Sequence, residues 1–382
     1  MEYRTAGESH GQALMTIVSG VPAGLALTQE DFDRDLARRQ VGYGRGGRMR
    51  IESDRAQVLS GVRHGRTTGA PVAIMIANRE WESWAQAMAV FGEADPTQRL
   101  TAPRPGHADL AGYLKTAAVD VRDVLERASA RETAARVAAG AVARALLSVS
   151  GVEVFSWVER IGAAACGPVE PGAVDRAAVD ASDVRCPDAA AAERMRQAVD
   201  EAKAAGESLG GTFAVAATGC VPGLGGYAEA SERLDARLAA GVMSIPAIKG
   251  VEIGEGFASA ALSGSRVHDE ILHAEGRGFY RETNRAGGLE GGMTNGETVV
   301  LRAAMKPIPT LTKPLRTVDV VTLQPADAAR ERSDVCAVPA AAVVAEAEVA
   351  MVLADAYCRK FGGDAAADLA SAIEAYGRRI SG

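Results

Sequence analysis

The sequence predicts an α+β protein built from two antiparallel sheets covered by helices, and three observations carry that prediction. Strand-length apolar runs precede longer helical patterns in both halves of the chain. The halves share a faint repeat: residues 19–39 (SGVPAGLALTQEDFDRDLARR) resemble 218–240 (TGCVPGLGGYAEASERLDARLAA). Each copy is a small turn, a Gly-Leu step and an amphipathic helix, followed about forty residues later by Leu59-Ser60-Gly61 or Leu262-Ser263-Gly264. Such a repeat fits two related halves about a pseudo-two-fold with the active site between them. It fits equally the ordinary likeness of strand–turn–helix segments. Finally, no low-complexity linker interrupts the 382 residues, so one domain is expected over 1–382.

The elements follow in order. Residues 12–19 (QALMTIVS) and 70–77 (APVAIMIA) read as strands. Thr28 to Arg39 reads as a helix, with Thr28 as N-cap, acids in its first turn and arginines in its last. Residues 129–149 form a long Ala/Val-rich helix ended by Gly151 and opened by Ser129-Ala130-Arg131-Glu132, the pattern of a capping box. A phosphate docked on that N-terminus, with Arg127 and Arg131 beside it, is compatible with the cap. Residues 189–205 form another helix with Gly206 as C-cap. Residues 340–358 form a third, largely buried one, and Arg332-Ser333-Asp334 ahead of it offers an N-cap.

Composition narrows the function classes. The chain is 47% hydrophobic but only 4% aromatic, so its core must be Ala, Val, Leu and Ile with Gly at close contacts. A net charge of −7 disfavours nucleic acid as a partner. The longest apolar tract, Val335 to Ala354, is broken by Pro339, Glu346 and Glu348 and does not read as a membrane span. Five scattered cysteines, never in CxxC spacing, argue against disulfides or a zinc site. They point to a reducing cytosol, hence a cytoplasmic location, as does the lack of a basic-then-apolar signal before Gly7.

Two short patterns mislead. Gly7-Glu8-Ser9-His10-Gly11 matches the G-x-S-x-G nucleophile elbow, which needs a preceding strand and a following helix. Here a strand-like run follows. Gly42-Tyr43-Gly44-Arg45-Gly46-Gly47 matches G-x-G-x-x-G, but it follows a helix and leads into MRIESD, so the dinucleotide fingerprint fails too.

The same stretches carry chemistry of another kind. Arg38, Arg39, Arg45, Arg48 and Arg50 lie together with no acid among them, interleaved with glycines. They make either a solvated basic face or a site for a small multiply charged anion, closed by backbone and guanidinium groups. Two of only five histidines, His10 and His107, sit in Gly-flanked loops, a setting suited to protonating a leaving group near neutral pH. Arginine loops alone fit a non-catalytic binder of a phosphorylated metabolite or flavin equally well. A flavin oxidoreductase is a further alternative, and it would consume NADPH stoichiometrically.

Taken together, AGESHG (6–11), RRQVGYGRGGRMRIE (38–52), RPGHAD (104–109), RASARETAARVAAGA (127–141), MSIPAIKGVEIGEGF (243–257), AGGLEGGMTNGE (286–297), MKPIPT (305–310) and RSDVCAVPAAAVVAEA (332–347) resemble the chorismate synthase family along essentially the whole chain. The resemblance implies a β-α-β sandwich of two antiparallel sheets flanked by helices, assembled as a homotetramer. It implies an anti-1,4-elimination of phosphate from 5-enolpyruvylshikimate 3-phosphate, using reduced FMN without net redox change. By position, His10 would protonate the departing phosphate and His107 would keep the flavin in its productive protonation state. Ser9 and Asp334 would assist proton transfer. FMN would contact Arg127, Ala128, Ser129, Pro246, Ala247, Gly291, the run Lys306-Pro307-Ile308-Pro309-Thr310, and Arg332. Arg39, Arg45, Arg48 and Arg131 would hold substrate phosphate; Arg39 and Arg45 would serve NADPH instead in members that reduce their own flavin.

Overall fold

A computed structural model describes residues 1–46, 53–330 and 334–380. The first sheet contains β1 (Glu2–Ala6), β2 (Ala13–Ser19), β3 (Gln57–Ser60) and β4 (Val72–Ala77) in the order β1-β2-β4-β3, every neighbour antiparallel. The second contains β5 (Glu153–Ile161), β6 (Ala164–Ala165), β7 (Gly211–Thr218), β8 (Ile248–Ile253) and β9 (Val299–Met305) in the order β8-β9-β7-β5-β6, again antiparallel. The two-sheet α+β expectation therefore matches the observed topology.

The main helices are α1 (Gln29–Gln40), α2 (Thr133–Val149), α3 (Ala189–Ala205), α4 (Leu234–Met243), α5 (Val338–Phe361) and α6 (Ala366–Ile380). Helices α2 and α5 pack on one another; α2 also meets β1, β2 and β4, whereas α5 meets β5 and β7. Their contact is close because it is made by small residues. A Cβ on Gly140 of α2 would sit 2.3 Å from that of Ala347 on α5. This is where the Ala- and Gly-rich composition is spent, and one buried apolar cluster runs from Leu14 in β2 to Tyr357 in α5.

Local signals place most helix ends. Thr28 caps α1 in a full capping box with Asp31, and Gly206 ends α3 in the left-handed conformation. Helix α5 extends beyond the 340–358 expectation at both ends. Two expected caps are corrected. Ser129 accepts from the Arg131 N–H, opening a short 3-10 turn ahead of α2, but Glu132 does not reach back. Its carboxylate goes instead to the Thr5 hydroxyl and to Arg136, one turn further along the chain, a charge-assisted bond that outcompetes a neutral backbone donor. Asp334 does not cap α5, whose N-cap is Ala337 without a side-chain bond. It binds Arg45 and the Gly46 N–H. In the repeat, β2–α1 and β7–α4 are both strand–turn–helix units. The Leu-Ser-Gly steps differ: Leu59 and Ser60 end β3, whereas Leu262 to Gly264 opens the short helix Gly264–Val267.

The expected basic face of α1 is divided by the fold. Arg38 turns to the fully buried Glu346 of α5, with bonds of 2.8 and 2.9 Å, and Arg144 and Arg185 meet the same carboxylate. Burial alone would push this carboxyl up, but the three guanidiniums outweigh it and hold it down at about 2. Glu346→Gln is expected to destabilise the protein by about 3–5 kcal/mol, since it removes the buried carboxylate that Arg38, Arg144 and Arg185 share and leaves them Asp35 and Asp180 instead. Because the folded pKa is depressed, the stabilisation is complete above the ordinary value of 4.5 and is lost as pH falls toward about 2. Denaturant unfolding of wild type and variant should therefore show a gap at pH 7 that narrows as pH falls from 4.5 toward 2; an unchanging gap would remove the charge from the explanation.

Candidate active site

The turn between β1 and β2 aims Ser9 and His10 inward. Gly7 makes it possible: its φ is +103°, and a Cβ there would lie 2.3 Å from the Ala13 carbonyl oxygen. Ser9 and His10 are consequently 3% and 7% exposed. Ser9 accepts a 3.2 Å hydrogen bond from Ser129, and its N–H donates to the Glu126 carbonyl. His10 Nδ1 lies 2.9 and 3.0 Å from the two carboxylate oxygens of Glu126, which also accepts from the His10 N–H. Burial would raise the Glu126 carboxyl, yet the bonds from His10 and the charge of Arg122 hold it below its ordinary value. A carboxylate at Nδ1 defines that nitrogen as the N–H donor and Nε2 as the reactive one.

The second histidine is held by a similar device. Asp109, fully buried, lies 2.5 Å from His107 Nδ1 and accepts from Arg104 Nε at 2.9 Å. Burial alone would push its carboxyl up, but the His107 and Arg104 bonds hold it far below the usual range. Arg104 also donates to the Thr310 hydroxyl at 3.0 Å, and Lys306 donates to the Gly106 carbonyl at 2.7 Å. The RPGHAD turn is thus clamped to the MKPIPT segment from two directions. Burial, with Lys249 nearby, lowers the pKa of the Lys306 ammonium.

Three further arginines line the same site. Arg39, at the end of α1, is 3% exposed and donates to Thr133 Oγ1 at 2.9 Å and to the Ala130 carbonyl at 3.0 Å. Burial pushes its pKa down to about 10 against the pull of Asp54, so it stays charged at neutral pH. Arg131 pairs with Asp54 and donates to Asn78 at 3.0 Å, while Arg45 lies 2.8 Å from Asp334.

These groups line one cavity of about 400 Å³, within the usual range for small-molecule sites. Ser9, His10, His107 and Asp334 all face it, as do Arg39, Arg45 and Arg131. Ala128, Ser129, Pro246, Ala247, Lys306, Ile308, Pro309 and Thr310 line it too. Ala247 does so in the left-handed region, with φ 69°, a strained conformation that clusters at ligand sites. Three expected residues are not in the lining. Arg127 turns to the Thr5 and Gly7 carbonyls and braces the turn. Pro307 is skipped, and Gly291 sits in the hairpin turn between Leu289–Glu290 and Met293–Thr294. Arg48 and Arg332 lie outside the described residues.

Sequence reasoning missed Glu126, Trp84, Arg104 and Asp54. Glu126 follows Arg122 at helical i,i+4 spacing, and nothing in that spacing points to the histidine it meets from 116 positions away. Trp84 stacks on His10 with ring centroids 3.9 Å apart and 20° between planes. Being one of three tryptophans in a chain with 4% aromatics was the only available signal.

A cavity lined by arginines and apolar side chains, with two carboxylate-anchored histidines, defines an enzyme site for a phosphorylated small molecule. The chorismate synthase family profile matches residues 1–358. The chorismate synthase of Rubrobacter xylanophilus is 58% identical over 99% of this chain and 97% of its own. That of Desulforudis audaxviator is 56% identical over 100% and 98%. A solved structure described as the crystal structure of chorismate synthase superimposes with a TM-score of 0.80 at 40% identity, covering 100% of this chain and 98% of the other. The chain belongs to the chorismate synthase family. Its activity is that of a phosphate-eliminating lyase in the shikimate pathway, forming chorismate from 5-enolpyruvylshikimate 3-phosphate.

Proposed function

We propose that the cavity takes reduced FMN beside the enolpyruvyl substrate and carries out an anti-1,4-elimination without net redox change. The observation that supports this is the mixed lining of the cavity. Ile245, Pro246, Ala247, Met305, Ile308 and Pro309 offer an apolar surface fit for a flat ring system, whereas Arg39, Arg45 and Arg131 suit phosphate. When bound, reduced flavin would supply transient electron density that eases departure of phosphate, since the C–H bond broken at the far end of the 1,4-elimination has no carbonyl to acidify it. The chain's own groups bind, orient and move protons. His10, with Nδ1 held by Glu126, presents Nε2 to protonate the departing phosphate. His107, held by Asp109 and Arg104, maintains the cofactor's protonation state. Asp334 fixes Arg45 and the Gly46 N–H, and with Ser9 it assists proton transfer.

Arg39 and Arg45 accept either substrate phosphate or NADPH in this reading. Arg45→Ala is expected to weaken binding of the phosphorylated substrate by about 10–100-fold, the equivalent of one charge-assisted bond of roughly 1.5–3 kcal/mol. Calorimetric titration with substrate and, separately, with NADPH shows which ligand it serves. Unchanged affinity for both removes Arg45 from ligand binding.

The layering of two sheets about α2 and α5 supports the β-α-β sandwich, with the pseudo-two-fold relating β2–α1 to β7–α4. We propose further that the chain forms one domain, that it acts in the cytoplasm and that it assembles as a homotetramer, as its family resemblance implies. Among the described residues no helix is long and apolar enough to cross a membrane. The direct test of function is anaerobic incubation with the enolpyruvyl substrate and dithionite-reduced FMN. One phosphate and one chorismate are expected per substrate consumed; phosphate release without chorismate would make the protein a phosphatase.

A further inference from the structure

His10 is gripped at three points, two by Glu126 and one by Trp84, neither of which moves a proton in the proposed reaction. We propose that Glu126 and Trp84 are positioning residues for His10, one fixing its tautomer and reach and the other its ring plane. This rests on the reading of His10 as the acid.

Glu126 is 1% exposed and does not line the cavity, so its carboxylate meets the substrate only through His10. It accepts from both the backbone N–H and ring Nδ1 of that one residue, at 3.0 and 2.9 Å. Fixing both ends of a side chain removes the rotations that would swing Nε2 off the leaving group. Immobilised geometry of this kind is where much of the advantage of a general acid lies. Trp84 closes the remaining freedom: its near-parallel ring blocks tilting of the imidazole. Arg122 ties the two together, its guanidinium 5.3 Å from the Trp84 ring centroid and 3.4 Å from Glu126 Oε1. The Glu126 carbonyl also accepts from the Ser9 N–H, a bond that side-chain substitutions leave intact.

The test is a double-mutant cycle on the full protein with reduced FMN, reading kcat and KM separately. Glu126→Ala is expected to lower kcat by about 10²-fold with KM changed by less than about threefold, the signature of an orienting carboxylate. Glu126→Gln keeps the shape, but its amide NH2 can donate to Nδ1 and favour the other tautomer, so it should lower kcat as well. In the His10→Ala background neither Glu126→Ala nor Trp84→Leu should slow turnover further, since groups acting through one residue are not additive. Thermal melting accompanies each variant, and the isosteric Gln carries the test where Ala does not fold. Wild-type kcat in Glu126→Ala, or a multiplicative loss in the His10→Ala background, overturns the proposal while leaving His10 as the acid. Near-normal turnover in His10→Ala alone overturns the acid reading itself, and the positioning role falls with it.

Discussion

Phosphate release should fall to background when oxidised FMN replaces reduced FMN, whereas reduced FMN should support many turnovers with no net loss of the reduced form. The expectation follows from what the cavity offers. Among the described lining residues the polar groups are guanidiniums, an ammonium, imidazoles, hydroxyls, an indole and the Asp334 carboxylate. These bind anions and move protons, and the C–H bond to be broken has no acidifying neighbour for a base to exploit. Electron supply must come with the cofactor. An anaerobic absorbance trace at the oxidised-flavin band, run alongside phosphate release, decides the matter. One-for-one oxidation of flavin with product would mean a conventional oxidoreductase. Equal rates with oxidised FMN would leave the elimination to His10 and His107 alone.

His10→Ala and His107→Ala are each expected to slow turnover by about 10²–10⁴-fold, the usual cost of losing a general acid or base. Both rings face the same cavity, and each has Nδ1 committed to a buried carboxylate. Neither is asked to anchor the cofactor, so FMN affinity measured by fluorescence titration should stay close to wild type. The two variants should differ in kind. Removing His10 withdraws the proton from the departing phosphate and should slow single-turnover phosphate release directly. Removing His107 also unties Arg104 from one of its contacts, within reach of Thr310, so its effect should depend more on flavin conditions. Near-normal turnover in both variants would end the acid–base assignment.

Much of this was legible one residue at a time. Caps at Thr28 and Gly206, the strand runs of β2 and β4, and the Gly-flanked histidines are local signals, set by backbone sterics and side-chain chemistry within a few positions. The ordered motifs reached the family, and through it most of the cavity wall. The sequence by itself therefore determined most element types and their order and, through the family, the reaction. What it did not determine is direction. Arg38 and Arg39 are adjacent, yet one neutralises Glu346 in the core and the other faces the cavity, because successive helical residues point about 100° apart. Arg127 looked like a ligand contact and proved to brace the turn before Ser9. Glu126 gave no signal in the sequence, yet its carboxylate holds the His10 imidazole. Only the tertiary structure decided these, because a buried charge takes whichever partner the packing of distant segments brings within reach, and that partner is not written in its own neighbourhood of the chain.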